Sequence, residues 1–459
     1  MRTTLNHEQN FAVSNLSDRA IYCLLLVFAG LLFGFAFLFN TPQEIWKGSL
    51  TILSSPANLV TDYFALANVG AALVNASLMT LKSLLLIRIN KVRLSGPLLA
   101  AIITVAGFSL FGKNLYNSIP IIAGVMLYAK LTHSPFKDYL LAALFGSALG
   151  PLVSEITFNL GLPLPLGILG GCLAGILVGL LLPPMASHFK SFHKGFSLYN
   201  IGFTAGIIGM TFIALFRSFG SDVHTVQILS SGNNVFFSIF LFSLFSSMLA
   251  LGFFSNHRSF KGYLTFLDED GIGGPDYLSK YGLGLTLINM GLLGNTATGY
   301  CLLVGGELNG PVIGGIFTVT GFGAFGKHIR NVSPILVGVL LVGLLTSADL
   351  GSTNLLLTAL FGTTLAPISG HYGALAGIIA GGFHMAMVTN ISYLHAGMNL
   401  YNNGFSGGFI AAAIVPLLEV FHFHKKERKN QSAISKNIME EAPSKTSSPE
   451  QLAVFDDMD

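Results

Sequence analysis

The sequence predicts an all-α, polytopic integral membrane protein built from two inverted repeats of about seven helical elements each. Three observations carry this. Of 459 residues, 52% are hydrophobic and only 10% are charged, against about 25% charged in an average soluble domain. Residues 96–132 match residues 310–346 at a constant offset of 214, with 18 of 37 positions identical. Lys and Arg sit mainly on one side of the expected spans, 12 against three, the bias seen in cytoplasmic loops.

Residues 1–19 are polar and are expected to form a cytoplasmic N-terminal segment. The apolar run after them is too long for a cleavable signal peptide. Stretches of roughly 17 to 25 apolar residues cross a bilayer as helices. The first membrane repeat (20–217) offers seven, at 20–40, 63–87, 95–112, 114–131, 138–160, 164–184 and 196–217. A connecting loop (218–232) leads to the second repeat (233–420), with spans at 233–255, 282–304, 310–326, 328–346, 353–370, 371–390 and 397–420. The charged tail (421–459) suits a disordered cytoplasmic extension.

An odd number of crossings per copy inserts the second copy upside down. The loops agree, because Arg88, Lys91 and Arg93 in copy one face only Glu307 in the equivalent loop of copy two. The pair 95–112 and 114–131 is short, and Pro120 breaks the helical ladder beyond the first turn. It also reads as a re-entrant hairpin, and losing two crossings per copy leaves the parity odd.

Gly107 to Lys113 and Gly321 to Lys327 spell G-x-x-x-x-G-K, but the next residues are Asn114 and His328. A phosphate-binding loop needs Ser or Thr there, between a strand and a helix. The repeated Phe-Gly-Lys-x-x-x-Asn-x-x-Pro block reads instead as a helix interruption, tolerated at membrane depth only against protein or a watery cavity. Lys113 and Lys327 then either attract an anionic solute near two half-sites or snorkel to an interface. Asn117 and Asn331 fit satisfaction of the broken backbone better than substrate contact.

The second polar repeat runs His-x-Gly-x-x-Leu-Tyr-Asn-x-Gly-Phe from His193 and from His395. Tyr199, Asn200, Tyr401 and Asn402 offer donors and acceptors to a polar solute, or cap helix ends. Gly202 and Gly404 free backbone carbonyls to turn toward a pore. Glu155, its aligned partner His371, His193 and His395 are the candidates for proton coupling, with a solvated loop position the plainer reading of His193. Gly167, Gly171, Gly175 and Gly179, echoed by Gly373, Gly377 and Gly381, form a ridge for close helix packing. Asp62 and Asp276 precede spans and read as helix caps. Cys23, Cys172 and Cys301 lie far apart in apolar runs, as packing residues.

The two polar blocks resemble a family of bacterial, mainly Firmicute, multipass membrane proteins catalogued as a domain of unknown function. The likeness covers nearly all of residues 15–420. It implies a bacterial inner-membrane location and no substrate. More distantly, Leu-Tyr-Asn-x-Gly-Phe-x-x-Gly is similar to the Tyr-Asn-Gly blocks of urea channels, in a different residue order.

Together these features predict a secondary transporter moving a small polar or anionic solute across the inner membrane by alternating access. A passive channel for an uncharged solute such as urea is the alternative. A membrane-embedded enzyme is less favoured, since no metal-ligand or nucleophile spacing accompanies Glu155 and the histidines, so no enzymatic activity is expected. The expected partners are the lipid bilayer, the solute, a coupling proton or sodium ion and further copies of the chain in a homo-oligomer. No cofactor, metal or nucleic acid is expected.

Overall fold

A computed structural model describes residues 18–57, 60–221, 223 and 227–441. Nearly all of the expected N-terminal segment and the end of the tail lie outside these residues. The chain divides into two compact units, Met1–Val415 and Pro416–Asp459. Copy one contains α1 (Asp18–Ala36), α2 (Pro42–Ser54), α3 (Tyr63–Leu66), α4 (Val69–Ile89), α5 (Gly96–Phe108), α6 (Leu115–Leu131), α7 (Leu140–Gly146), α8 (Gly150–Phe158), α9 (Leu164–Phe189) and α10 (Asn200–Ser218). Copy two contains α11 (Asn234–Ser255), α12 (Tyr263–Phe266), α13 (Tyr277–Leu303), α14 (Gly310–Gly321), α15 (Ile329–Leu345), α16 (Thr353–Gly362), α17 (Ala366–Tyr372), α18 (Ala374–His395) and α19 (Asn402–Glu441).

Eight helical stretches are long and apolar enough to cross a membrane, among them α1, α4, α9, α10, α11 and α18. The chain is thus an all-α, polytopic membrane protein. Not every expected span is full length. α5, α6, α14 and α15 belong to a shorter class. At 1.5 Å per residue, the 13 residues of α5 reach only about 20 Å into a hydrocarbon core of about 30 Å. Their broken ends survive because protein, not lipid, surrounds them: every residue of α14 is buried.

Three departures from the sequence reading have local causes. α2 occupies a stretch with no expected element. It is amphipathic rather than uniformly apolar, burying Ile45, Gly48 and Ile52 while Trp46 is exposed. A capping box of Thr41 and Glu44 starts it, and the Thr41 backbone N–H holds the Glu44 carboxyl below its usual range. The expected disordered tail from 421 is instead helical as far as Glu441, since the Lys, Arg and Glu that follow favour a helix and no Gly or Pro stops it. The expected span at 282 starts earlier, at Tyr277, and kinks at Gly282, whose φ of 77° only glycine adopts easily.

At the centre, α5 and its repeat partner α14 pack antiparallel. A Cβ on Gly96 would meet the Ala324 carbonyl at 2.2 Å, one on Gly310 the Leu110 carbonyl at 2.6 Å, and one on Gly107 the Gly314 carbonyl at 2.8 Å. The copies also cap one another. Asp62 Oδ1 accepts the N–H of Phe64 at 2.9 Å and of Gly310, which opens α14, at 3.2 Å. Asp276 Oδ1 accepts the N–H of Ser279 at 3.0 Å and of Gly96, which opens α5, at 2.8 Å. A two-stranded parallel pairing, β1 (Val60–Thr61) with β2 (Gln227–Ile228), lies beside Asp62.

The glycine ridge is a packing surface. In α9, Gly171 faces the Val153 carbonyl of α8 and Gly179 the Ile121 carbonyl of α6. In α18, Gly381 faces the Ile335 carbonyl of α15 in the same way.

Candidate functional site

Each copy carries one break of the same design. In copy one, Asn114 and Asn117 cap the start of α6 reciprocally, and Asn117 Nδ2 donates to the Gly112 carbonyl at 3.0 Å. In copy two, His328 and Asn331 do the same for α15, and Asn331 Nδ2 donates to the Gly326 carbonyl at 3.0 Å. Gly112 and Gly326 turn the chain with φ of 70° and 88°. Asn75 donates to the carbonyls of Ser109 and Lys113, and Asn289 to those of Gly323 and Lys327. Asn117 and Asn331 are therefore committed to the backbone.

The breaks aim Lys113 and Lys327 inward. Both are buried, at 1% and 0% exposure, so the interface-anchor reading fails and each drops out of the loop charge count. Lys113 Nζ donates to the Leu144 carbonyl at 3.1 Å. Lys327 Nζ donates to Tyr199 OH and to Thr363 Oγ1, both at 2.6 Å, and sits 4.5 Å from the Tyr199 ring centroid. Neither lysine forms an ion pair among the described residues. Lys82, bonded to Ser118 Oγ at 2.7 Å, lies within electrostatic reach of Lys113.

Lys327 borders a cluster of six aromatic rings that form three repeat pairs: Phe108 with Phe322, Phe145 with Phe361, and Tyr199 with Tyr401. Their contacts are reciprocal. Phe108 meets Tyr401 at 4.6 Å and Phe322 meets Tyr199 at 4.7 Å. Phe108–Phe361 and Phe145–Phe322 are both 5.7 Å apart. Tyr199 and Tyr401, equivalent positions of the two copies, meet each other at 5.2 Å. Gly202 and Gly404 lie within the first turns of α10 and α19. They admit the tyrosines, with Cβ positions 2.7 Å from Tyr401 Cβ and 3.0 Å from Tyr199 Cβ.

A cavity of about 220 Å³ reaches this cluster from one side, lined by His193, Asn200, Tyr199, Phe145, Phe322 and Tyr401. His193 is buried rather than solvated. The loop turns through positive φ at Lys194 and Gly195 and folds the imidazole onto Asn200 Oδ1, 3.0 Å from Nε2. Its counterpart His395 is buried beside Asn402. Glu155 and His371 do not line the cavity. Glu155 is buried and accepts from Asn159 Nδ2 at 2.6 Å, whereas His371 is half-exposed and faces Asp270 at 3.4 Å.

The site thus brings together Lys327, Tyr199 and Tyr401, places Lys113 on the far copy's equivalent break, and sets Glu155 and His371 apart. The four phenylalanines, Thr363 and Lys82 escaped the sequence reading. The rings were findable: offsets of 214, 216 and 202 pair them, but apolar rings in an apolar chain carry no contrast.

No curated protein and no solved structure matches the chain. A family described as "Protein of unknown function (DUF1576)" matches twice, over residues 41–218 and 255–420. These segments follow the two copies just described, and with most of the sequence matched, the chain belongs to that family.

Proposed function

We propose that the protein is a secondary transporter, not an enzyme, that moves a small anionic solute by alternating access between two inverted repeats. The observation that carries this reading is the pair of buried lysines at equivalent helix breaks, neither facing a carboxylate among the described residues. An ammonium in a low-dielectric site is costly unless an anion arrives to pair with it. Lys327, Tyr199 and Thr363 supply three polar groups to such a solute; Lys113 and Tyr401 supply the partner half-site. The six rings pack on one another across the two copies beside Lys327, which favours a carrier that rocks over an open channel. Their present arrangement is unequal, with Tyr199 bonded to Lys327 and the cavity on the His193 side, as a carrier at rest on one side requires.

The antiparallel α5–α14 pair supports an inverted arrangement in the membrane, and the bias of Lys and Arg supports our placement of both termini on the cytoplasmic side of a bacterial inner membrane. With native cysteines replaced by alanine, cysteines at Lys91 and Gly305, both exposed, are expected to react with impermeant maleimide from opposite sides. Labelling from one side would overturn the inversion.

Transport is tested in proteoliposomes given radiolabelled acetate, lactate, inorganic phosphate or urea, with and without an imposed proton or sodium gradient. Gradient-driven accumulation of an anion is expected. Uptake of urea alone, indifferent to both gradients, would replace the carrier by a channel.

A further inference from the structure

One departure from the repeat symmetry sits beside the Lys327 half-site. Gly146 and Gly362 are equivalent, and each receives a side chain from the glycine-ridge helix behind it. In copy one that side chain is Leu182, whose Cδ1 would lie 2.3 Å from a Cβ on Gly146. In copy two it is His384 of α18, whose Cδ2 would lie 2.7 Å from a Cβ on Gly362. The surroundings changed with it: Ile201 and Thr204 in copy one stand where copy two has Asn403 and Ser406 of α19.

His384 is fully buried, yet both ring nitrogens are occupied. Nε2 lies 2.9 Å from Asn403 Oδ1, and Nδ1 lies 2.8 Å from Ser406 Oγ. Ser406 Oγ is also 3.5 Å from the Asn403 carbonyl oxygen. This triad satisfies two protonation states. In the neutral ring, Nε2–H donates to Asn403 and the Ser406 hydroxyl donates to Nδ1. In the imidazolium, Nδ1–H donates to Ser406 Oγ and the hydroxyl hydrogen turns to the Asn403 carbonyl. A structural histidine needs only the first arrangement.

Resting on the transport reading of the Lys327 half-site, we infer that His384 is the proton-binding residue of the transport cycle, coupled to anion binding at Lys327. The link is short: the imidazole packs on Gly362, and the next residue, Thr363, accepts from Lys327 Nζ. A proton taken from water onto His384 places a second cation near Lys327. The two repel in a medium of low dielectric, and an anion between the copies relieves that repulsion. Proton and anion therefore favour each other's binding, by the same factor in both directions.

The elements packed against α18 carry few other titratable groups. α16 has none, and α19 has none as far as Val415. α15 carries Arg330, exposed and paired with Asp268; α17 carries Tyr372 and His371, the latter facing Asp270; α10 carries Arg217, stacked on Tyr393 near the end of α18. His395 ends α18 itself.

The test uses the full chain in lipid nanodiscs and needs no transported solute. ¹⁵N-histidine spectra of the native protein, with His384 identified by its loss in His384→Gln, are expected to show reversible conversion of the neutral ring to the imidazolium as the sample is acidified. A ring fixed in one tautomer throughout would overturn the inference. In a cysteine-free background, Leu141→Cys in the cavity wall is then labelled with impermeant maleimide, with and without His384→Gln. The ratio of the two rates cancels the thiol's own pH dependence. It is expected to change at least about threefold over the same acidification, and an unchanged ratio would make His384 a structural residue. Failure of the transport reading appears separately, as absence of anion uptake by the native protein.

Discussion

Lys327→Met is expected to abolish anion uptake while leaving the protein as stable as before, or more so. Losing one partner of a buried charge pair costs about 3 kcal/mol, roughly two decades of affinity for the anion. Stability moves the other way. No carboxylate faces Lys327 among the described residues, so methionine strands no countercharge and removes the desolvation of an ammonium. Tyr199 OH and Thr363 Oγ1 each lose one donor, a smaller effect. Uptake in proteoliposomes and thermal unfolding in detergent read the two consequences. A Lys327→Met protein that still accumulates anions, or that unfolds many degrees earlier than native, would show that the lysine serves the fold.

Gly338→Val is expected to be the most damaging single substitution for folding. A Cβ there lies 2.1 Å from the Ile378 carbonyl oxygen and 3.0 Å from the Gly382 nitrogen. Both are backbone atoms of α18, so nothing flexible can yield and α15 must separate from α18. Overpacking in well-packed interiors costs about 1–3 kcal/mol where side chains can adjust, and more is expected here. Gly124→Val repeats the experiment in copy one, against the Ile176 carbonyl at 2.1 Å. Gly299→Ala is the control, since nothing lies within 4 Å of its Cβ position. Size-exclusion profiles and apparent melting temperatures should separate the two valine variants from the control.

Much of this architecture is legible in the letters, because duplication supplies contrast. Positions that recur in both copies, such as Asp62 with Asp276 and Asn117 with Asn331, recur because each half needs the same cap. The expectation that Asn117 serves the backbone could be formed from Gly and Pro spacing alone. Interface anchoring for Lys113 and Lys327 was the natural alternative, because the shortness of the spans before them, visible in the sequence, does not tell whether the lysine that follows is buried in protein or meets water. His193 looked solvated beside Lys194, since a left-handed turn that folds a loop inward is not visible in composition. His384 was overlooked for the opposite reason. It has no polar repeat partner, since Leu182 stands at the equivalent position of copy one, and recurrence singles out only polar residues present in both copies.

The exchange of caps between the copies bears on how the chain is made. Synthesis proceeds from the N-terminus, so Asp62 is inserted 168 residues before Ser230 and 248 residues before Gly310, the donors that complete its shell. Until they arrive, the first copy holds a carboxylate without its full set of partners, and its central short helix has no antiparallel mate. The unit that folds is therefore the pair, and the early half must wait in the bilayer, open along the face that the late half will cover. Two fragments expressed from separate messages, divided within residues 218–232, should assemble when made together, while either alone should be cleared by proteolysis.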